Sequence, residues 1–244
     1  MATLISPASR VLEHLRNFGQ RTALISSGAP ENSSGAPEVT YAELADLVER
    51  FSESLGPGRK LVMLAGKNEI SAVVAYLGAL AGGHAVLLVP DTAANFESDL
   101  TAIYDPDVII SESAGKQLDV HVRREQSIHD LHPDLALCLS TSGSTGSPKL
   151  VRLSYENLIS NAQAIAEYLS ITSDDRAITA LPMHYCYGLS VIHSHLIRGA
   201  GLLITNDSVV DRAFWDFFKA HDGTSFAGVP YTCLLYTSPS PRDS

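Results

Sequence analysis

The sequence predicts an α/β fold in which largely parallel sheets are layered with helices. Short apolar runs, such as Leu61–Ala65 and Ala85–Val89, alternate with longer stretches whose apolar residues recur every three to four positions. Gly, Pro and hydroxyl-bearing residues separate these runs, and they favour turns and helix starts. Strands that alternate with helices in this order are typical of a parallel sheet with helices on its faces.

The elements follow one another from local signals. Ser6 and Pro7 begin a first helix, which Gly19 ends. Thr40 and Glu43 form a capping box at the start of a second helix. Further strands are predicted at residues 61–65, 85–89, 108–110, 135–139, 150–153 and 202–205, and further helices at residues 69–81 and 95–104.

Two further helices are predicted after residue 153. Ser154 caps one of them, and periodicity assigns its buried face to Leu158, Ala162, Ile165, Ala166 and Leu169. The other is an aromatic helix whose buried side consists of Phe214, Trp215, Phe217 and Phe218. No linker divides the chain, so we expect one domain.

Composition excludes several classes of protein. The 244 residues are 45% hydrophobic, which argues against disorder, and the net charge of −10 argues against nucleic acid or an anionic membrane as the main partner. The longest apolar stretch, residues 73–89, contains three Gly and a His and is shorter than the roughly 20 residues of a membrane span. Three Cys without paired spacing predict a reduced, cytoplasmic protein with no disulfide framework or zinc site.

The last twelve residues differ from the rest. Residues 233–244 resemble the translation of a sequencing adapter, so we expect a non-native tail. The natural sequence then ends near Thr232, and residues 1–232 form a truncated domain that retains Cys138 and Cys186.

One loop carries the chemistry. Between two apolar strands, Gly143 and Gly146 let the backbone approach a ligand closely, and Lys149 supplies a compact positive charge. Hydroxyl groups that can complement phosphate oxygens come from Thr141, Ser142, Ser144 and Thr145. Pro148 and Leu150 flank Lys149, which excludes a Walker A loop. Phosphate binding and a flexible Gly/Ser turn both remain open from the residues alone.

This loop resembles the signature of the adenylate-forming (AMP-binding) superfamily. The pattern Thr-Ser-Gly-Ser-Thr-Gly-x-Pro-Lys matches Thr141 to Lys149 without a mismatch. Other motifs of that family match in order at residues 39–44, 80–90, 181–188 and 228–232, so the resemblance covers residues 6–232. It implies the N-terminal part of the large domain of an adenylate-forming enzyme.

The resemblance also implies an activity. In that family a carboxylate attacks the α-phosphate of ATP, and the acyl group then passes to the thiol of coenzyme A or of a carrier protein's phosphopantetheine. The loop residues Thr141, Ser142, Gly143, Ser144, Thr145, Gly146 and Lys149 would hold the β- and γ-phosphates. Mg²⁺ would bridge phosphate oxygens, with Thr145 beside it. An acyl carrier protein is then an expected partner if the acceptor is not coenzyme A.

The motif at residues 181–188 implies a pocket for the carboxylic acid. Tyr185 matches the aromatic or His beside the reacting carboxylate, although a partly buried Tyr with any hydrogen-bond partner fits equally. Cys186 stands where amino-acid-activating members carry an Asp, which favours a plain carboxylic acid. His184, Gly188 and Gly228 complete the expected pocket, and His193 and His195 lack the spacing of a metal site.

Several motifs of the family do not occur before Thr232. These are the acidic Tyr-Gly-x-Thr-Glu type motif, the Asp for the ribose hydroxyls and the late catalytic Lys. We therefore expect the chain as written to be inactive and its parent to be an acyl-CoA synthetase. A carrier-protein-loading domain, a nucleotide-binding module without catalysis and a phosphotransferase are the alternatives.

Overall fold

In a computed structural model of the chain, the described residues are 9–28, 37–91, 100–112, 118–140, 150–230 and 232. Helices occupy α1 Ser9–Arg16, α2 Tyr41–Ser54, α3 Ile70–Ala81, α4 Tyr155–Tyr168, α5 Cys186–Leu196 and α6 Arg212–Ala220. Strands occupy β1 Thr22–Ser26, β2 Glu38–Thr40, β3 Leu61–Ala65, β4 Ala85–Val89, β5 Val108–Glu112, β6 Leu118–Val122, β7 Leu135–Ser140, β8 Leu150–Ser154, β9 Arg176–Ile178, β10 Gly201–Ile204 and β11 Ser225–Phe226.

The strands form two sheets that are largely parallel, as predicted. The six-stranded sheet has the order β6-β5-β3-β4-β7-β8. Its four inner strands are parallel, and β6 and β8 pair antiparallel at the edges. The five-stranded sheet has the order β11-β9-β10-β1-β2, in which only β2 is antiparallel. The α/β class predicted from the sequence is therefore confirmed.

The core contains residues of both sheets and of the helices packed on them. Every residue of β3, β4 and β10 is buried, as expected for parallel strands covered on both faces. Helix α3 is buried from Ala72 through Leu80, so it is apolar on all sides. One apolar cluster includes side chains from β1, β3, β4 and β10 and from α2, α3 and α5.

The local signals in the sequence position most elements correctly. Thr40 caps α2, and the reciprocal bonds of its capping box with Glu43 are both present. Ser154 caps α4 in the same way, with Asn157 as its partner. Helix α3 ends at Gly82, as the Gly pair predicts. The predicted starts at Ser6 and Pro7, and residues 95–99 of the predicted helix 95–104, lie outside the described residues, while residues 100–104 are helical.

The structure corrects the prediction for Leu169 and shows how far the aromatic residues of α6 are buried. Leu169 is 60% exposed, although the periodicity placed it on the buried face of its helix. Helix α4 ends at Tyr168 and the chain turns at Ser170, whose φ is +53°, so the helical period does not continue through Leu169. On α6, Phe214 is fully buried and the other three aromatic residues are partly buried against the same cluster.

Five strands were absent from the predictions. They are β1, β2, β6, β9 and β11, and they have between two and five residues. The shortest of them, β2, β9 and β11, carry too few residues to show a period, and β6 lacks the continuous apolar run of β3 and β4. No helix within the described ranges is long and apolar enough to cross a bilayer.

Candidate functional site

The candidate site lies where the carboxyl ends of parallel strands meet. In open α/β sheets, ligands bind in the crevice outside these ends. From the six-stranded sheet, the segments that emerge there follow β3, β4 and β7. From the five-stranded sheet, they follow β9, β10 and β11. Both sets of segments contain the residues singled out in the sequence.

The predicted phosphate loop connects β7 to β8. Its residues Thr141, Ser142, Gly143, Ser144, Thr145, Gly146 and Lys149 lie outside the described residues. The flanking strands are described, and their register pairs Ser140 with Leu150. The nine intervening residues therefore leave and re-enter the sheet at adjacent positions.

A charged pair lies beside the start of this loop. Strand β4 neighbours β7 with Leu88 paired to Leu139, so Pro90 and Asp91 emerge next to the loop. The Asp91 carboxylate accepts from the Lys67 ammonium at 2.8 Å, and Lys67 follows β3 on the far side of β4. This pair bridges the ends of two parallel strands at the edge of the sheet.

Asn68 joins the two sheets at their carboxyl edges. Its side chain is buried, with 6% exposure. The side-chain amide donates to the carbonyl oxygens of Thr179 at 3.3 Å and Leu181 at 3.1 Å, and its oxygen accepts from the Met183 N–H at 2.9 Å. The Asn68 main chain also exchanges hydrogen bonds with the Asn206 side chain, at 3.0 and 3.3 Å. A single residue after β3 thus satisfies three main-chain groups after β9.

The segment held by Asn68 turns sharply into α5. The Tyr185 N–H donates to the Pro182 carbonyl at 3.0 Å, and α5 begins at Cys186. A Cβ atom on Gly188 would lie 2.3 Å from the Pro182 oxygen and 2.7 Å from that of Leu181. Only Gly therefore fits this position, because any side chain would displace main-chain atoms of the turn. We call residues 181–188 the acid turn, after the carboxylic acid that the sequence predicts this segment to bind.

Gly66 provides a second contact between β3 and the acid turn. A Cβ atom on Gly66 would lie 3.0 Å from the Met183 sulfur. Burial lowers the pKa of His184, and a hydrogen bond to the Gly66 backbone and the charge of Asp91 partly oppose that shift. The Nδ1 atom of His184 is buried and has no hydrogen-bond partner among the described residues. It is therefore free to bond a group that enters the site.

The remaining predicted pocket residues lie on the same edge. Tyr185 is 45% exposed and is the N-cap residue of α5, without a side-chain capping bond. Cys186, in the first turn of α5, is an exposed free thiol. Gly228 follows β11, which pairs with β9 through Phe226 and Ile178. The structure therefore brings His184, Tyr185, Cys186 and Gly188 into one turn and places Gly228 after the neighbouring strand.

His193 and His195 each bond a neighbouring group through one ring nitrogen. His193 bonds the buried Tyr76 hydroxyl at 3.0 Å, and burial lowers the pKa of His193 to about 4. His195 contacts the Val191 carbonyl at 2.9 Å through Nδ1. Within the described part of the chain, no group of three or more His, Cys, Asp or Glu could hold a metal ion.

Sequence reasoning missed the residues that connect the sheets. Asn68, Gly66 and Asn206 belong to none of the motifs recognised in the sequence. A signal was nevertheless present, because Gly66 and Asn68 follow a fully buried strand, where parallel strands present their carboxyl ends. The partner of Asn68 is 111 to 115 positions away, so no local pattern could identify it.

Comparison with known proteins points to one family. The model of the AMP-binding enzyme family matches residues 90–243. The oxalate–CoA ligase of Arabidopsis thaliana is 28% identical over 265 residues, which covers 91% of this chain and 50% of that protein. A feruloyl-CoA synthase of Amycolatopsis sp is 26% identical over 238 residues, which covers 88% of this chain and 48% of that protein.

A solved structure supports the same fold. The ATP-bound structure of MatB from Rhodopseudomonas palustris superposes with a TM-score of 0.73 and 22% identity, covering 93% of this chain and 51% of that one. This chain therefore spans about half the length of each of these three proteins.

Proposed function

Because the chain belongs to the AMP-binding enzyme family, we propose that it is the first part of a ligase that activates a carboxylic acid with ATP. A carboxylate oxygen attacks the α-phosphorus of ATP, the bond to the β-phosphate oxygen breaks, and pyrophosphate leaves. A thiolate then attacks the acyl carbonyl of the adenylate, forming a thioester and releasing AMP. The names of the two relatives, a CoA ligase and a CoA synthase, support coenzyme A as the acceptor.

One observation carries this proposal. The signature motif follows β7 of the six-stranded sheet, and Asn68, which follows β3 of the same sheet, bonds Leu181 and Met183 of the acid turn and Thr179 just before it. The strand before the motif and the residue that bonds the turn thus belong to one sheet, at the edge where we assign binding of phosphate and carboxylate. Such an arrangement brings two reactants together in a defined geometry, which is the main requirement of adenylate formation.

The loop residues are assigned to phosphate. Main-chain N–H groups near Gly143 and Gly146, the hydroxyls of the loop and the Lys149 ammonium would hold the β- and γ-phosphates. We also propose that Mg²⁺ accompanies ATP, with the Thr145 hydroxyl as the loop oxygen beside it, because Mg²⁺ prefers oxygen ligands and keeps several waters. Bound Mg²⁺ would neutralise phosphate charge.

The acid turn is assigned to the carboxylic acid. Tyr185 and the unpartnered Nδ1 of His184 supply hydrogen-bonding groups there. Cys186 offers no negative charge for a substrate ammonium, so we propose a plain carboxylic acid rather than a free α-amino acid. Gly188 lets the turn close on the oxygens of Pro182 and Leu181, and Gly228 would let the substrate approach the main chain closely.

The test is ATP–pyrophosphate exchange across a panel of carboxylic acids, using the protein with its true continuation after Thr232. Replacement of Lys149 by Ala should reduce exchange roughly 100-fold, the scale of losing one charge-stabilising donor. Lys219→Ala, at an exposed position of α6, is the matched control and should leave exchange unchanged. Preference for an amino acid would overturn the assignment of Cys186.

Other outcomes separate the alternatives. Nucleotide binding without exchange for any acid would favour a nucleotide-binding module. Transfer of the acyl group to a carrier protein but not to coenzyme A would favour a carrier-protein-loading domain. We further propose that residues 233–244 are not native, and resequencing of the source locus tests this. We also propose that residues 1–232 alone form no acyl-adenylate. Finally, we propose that the protein is cytoplasmic.

A further inference from the structure

We propose that Asn68 is a positioning residue, which holds the start of the acid turn against the end of β3 and thereby governs binding of the carboxylic acid. This inference rests on the proposed function. Asn68 belongs to neither the phosphate motif nor the acid turn. Its role in the reaction would be to keep the turn in place.

The side chain of Asn68 bonds the segment that leads into the acid turn and the start of the turn itself. Its side-chain amide donates to Thr179 and Leu181, and its side-chain oxygen accepts from the N–H of Met183, the residue before His184. Because Thr179 and Met183 are buried, losing the side chain would leave their main-chain groups without partners away from water. The turn would then shift to a position in which these main-chain groups bond other partners or water.

The other end of the connection is equally well defined. Asn68 lies three residues after Ala65, the last residue of β3, which is fully buried and pairs in register with β4. Strand β4 pairs in register with β7, from which the phosphate loop emerges. Two strand pairings and one buried side chain therefore link the loop to the acid turn. Displacement of reacting groups by about 1 Å can reduce a rate roughly 100-fold.

A nearby residue distinguishes positioning from general stability. Asn206 bonds the main chain of Asn68 rather than the acid turn. Replacing Asn206 by Ala would weaken the junction of the two sheets and leave the Asn68 side chain on the turn. Asn68→Ala and Asn206→Ala are therefore matched variants at the same junction, and Asn17→Ala, in the turn after α1, controls for a remote substitution.

The kinetic experiment uses steady-state pyrophosphate exchange by the protein with its true continuation. We expect Asn68→Ala to raise KM for the acid at least 10-fold and KM for ATP less than 3-fold. Asn206→Ala should change KM for the acid less than 3-fold, and Asn17→Ala should change neither. Equal changes in both KM values for Asn68→Ala, or the same acid effect from Asn206→Ala, would overturn the proposal.

A second measurement does not depend on activity. NMR titration of the His184 ring reports whether the acid turn stays in place, because burial holds its pKa low and Asp91, paired with Lys67, lies within electrostatic range. Asn68→Ala should move the pKa of His184 upward, toward its ordinary value, whereas a wild-type titration would overturn the proposal. If Asn68→Ala does not fold, Asn68→Asp retains the acceptor for the Met183 N–H but loses both donors. That variant should also raise KM for the acid, and an unchanged KM would overturn the proposal.

Failure of the proposed function looks different. It would appear as absent pyrophosphate exchange in the wild-type protein for every acid. The His184 titration would still decide whether Asn68 holds the turn.

Discussion

The two edges of the six-stranded sheet are built from different chemistry. At the amino edge, charged side chains are tied to main-chain groups. Arg59 donates to the carbonyl oxygens of Gly83, His132 and Leu135. The buried Asp107 accepts from the Leu61 N–H at 2.8 Å. At the carboxyl edge, Gly66, Gly188 and the side-chain amide of Asn68 hold the acid turn, beside the single ion pair described there, between Lys67 and Asp91.

Charged side chains at the amino edge pair with one another or bond nearby main-chain groups. Asp105 pairs with Arg123 at 2.8 Å and with Arg124 at 2.6 Å, and hydrogen bonds from both arginines hold the pKa of Asp105 below its usual range. The Lys60 ammonium is buried and donates to the carbonyl of Leu55, at the end of α2. Most of these charged groups are bonded within the chain, and the buried Nε of Arg59, Nε2 of His84 and Oδ1 of Asp107 are the atoms there without a hydrogen-bond partner among the described residues.

The carboxyl edge combines a rigid frame with groups that remain available. Asn68 is fully satisfied, yet the Nδ1 atom of His184 has no partner within the described ranges and Tyr185 is half-exposed. Gly66 and Gly188 allow the main chain of the acid turn to pack closely. The difference teaches that charged side chains make most of the bonds at the amino edge, whereas a neutral amide and closely packed glycines hold the acid turn at the edge that we propose for binding.

The largest expected effect is at Asp107. Its Oδ2 atom accepts from Leu61 and from the Ser127 hydroxyl at 2.6 Å. Asp107→Ala would leave these donors unsatisfied and should lower the free energy of unfolding by about 3–5 kcal/mol, measured by urea denaturation. Activity per folded molecule should not change.

Asp107→Asn is the control for this variant. It keeps an oxygen that can accept from Leu61, so it should lose much less stability. Loss of activity in folded Asp107→Ala, without a loss of stability, would break the distinction between the two edges.

The next effect is a loss of folding stability at low pH, caused by a histidine at the amino edge. Burial, and then the charges of Lys60 and Arg59, lower the pKa of His84 to about 4, while Asp107 opposes the shift. Between pH 6.5 and 4 the unfolded chain protonates this histidine and the folded chain does not, so stability falls as pH falls. The loss should reach about 2 kcal/mol by pH 5, measured by urea denaturation at each pH.

His84→Asn isolates that contribution. The Nδ1 atom of His84 accepts from the Lys60 N–H at 3.2 Å, and an Asn oxygen can occupy the same place. The variant should show a shallower decline between pH 6.5 and 4. A slope equal to that of the wild type would assign the acid sensitivity elsewhere, for example to His193.

The smallest effect is at the carboxyl edge. Gly188→Ala places a Cβ atom against the oxygens of Pro182 and Leu181, so the acid turn must shift. We expect KM for the acid to rise roughly 10-fold, measured by pyrophosphate exchange. Gly28→Ala is the matched control, since its Cβ would meet only Ser26 Oγ at 3.6 Å. A change in stability without a change in KM would contradict the assignment of this edge to binding.

Much of the fold was predictable because its signals are local. The capping boxes at Thr40 and Ser154, the strands Leu61–Ala65 and Ala85–Val89 and the helix end at Gly82 all depend on residues within a few positions of one another. The error at Leu169 has the same origin, since periodicity alone does not mark where a helix stops. Short strands such as β9 and β11 acquire their conformation from pairing partners remote in sequence.

By itself, the sequence determined the α/β class and the candidate loop, because apolar periodicity and a Gly-rich phosphate motif depend only on residues that are close together along the chain. It also identified the acid turn as a candidate pocket through its resemblance to a known family. Only the tertiary structure decided how that turn is held. Asn68 reaches it from the end of another sheet, across more than a hundred positions, and the physical reason is burial: the main-chain groups of a buried turn must find hydrogen-bond partners wherever the fold brings one near.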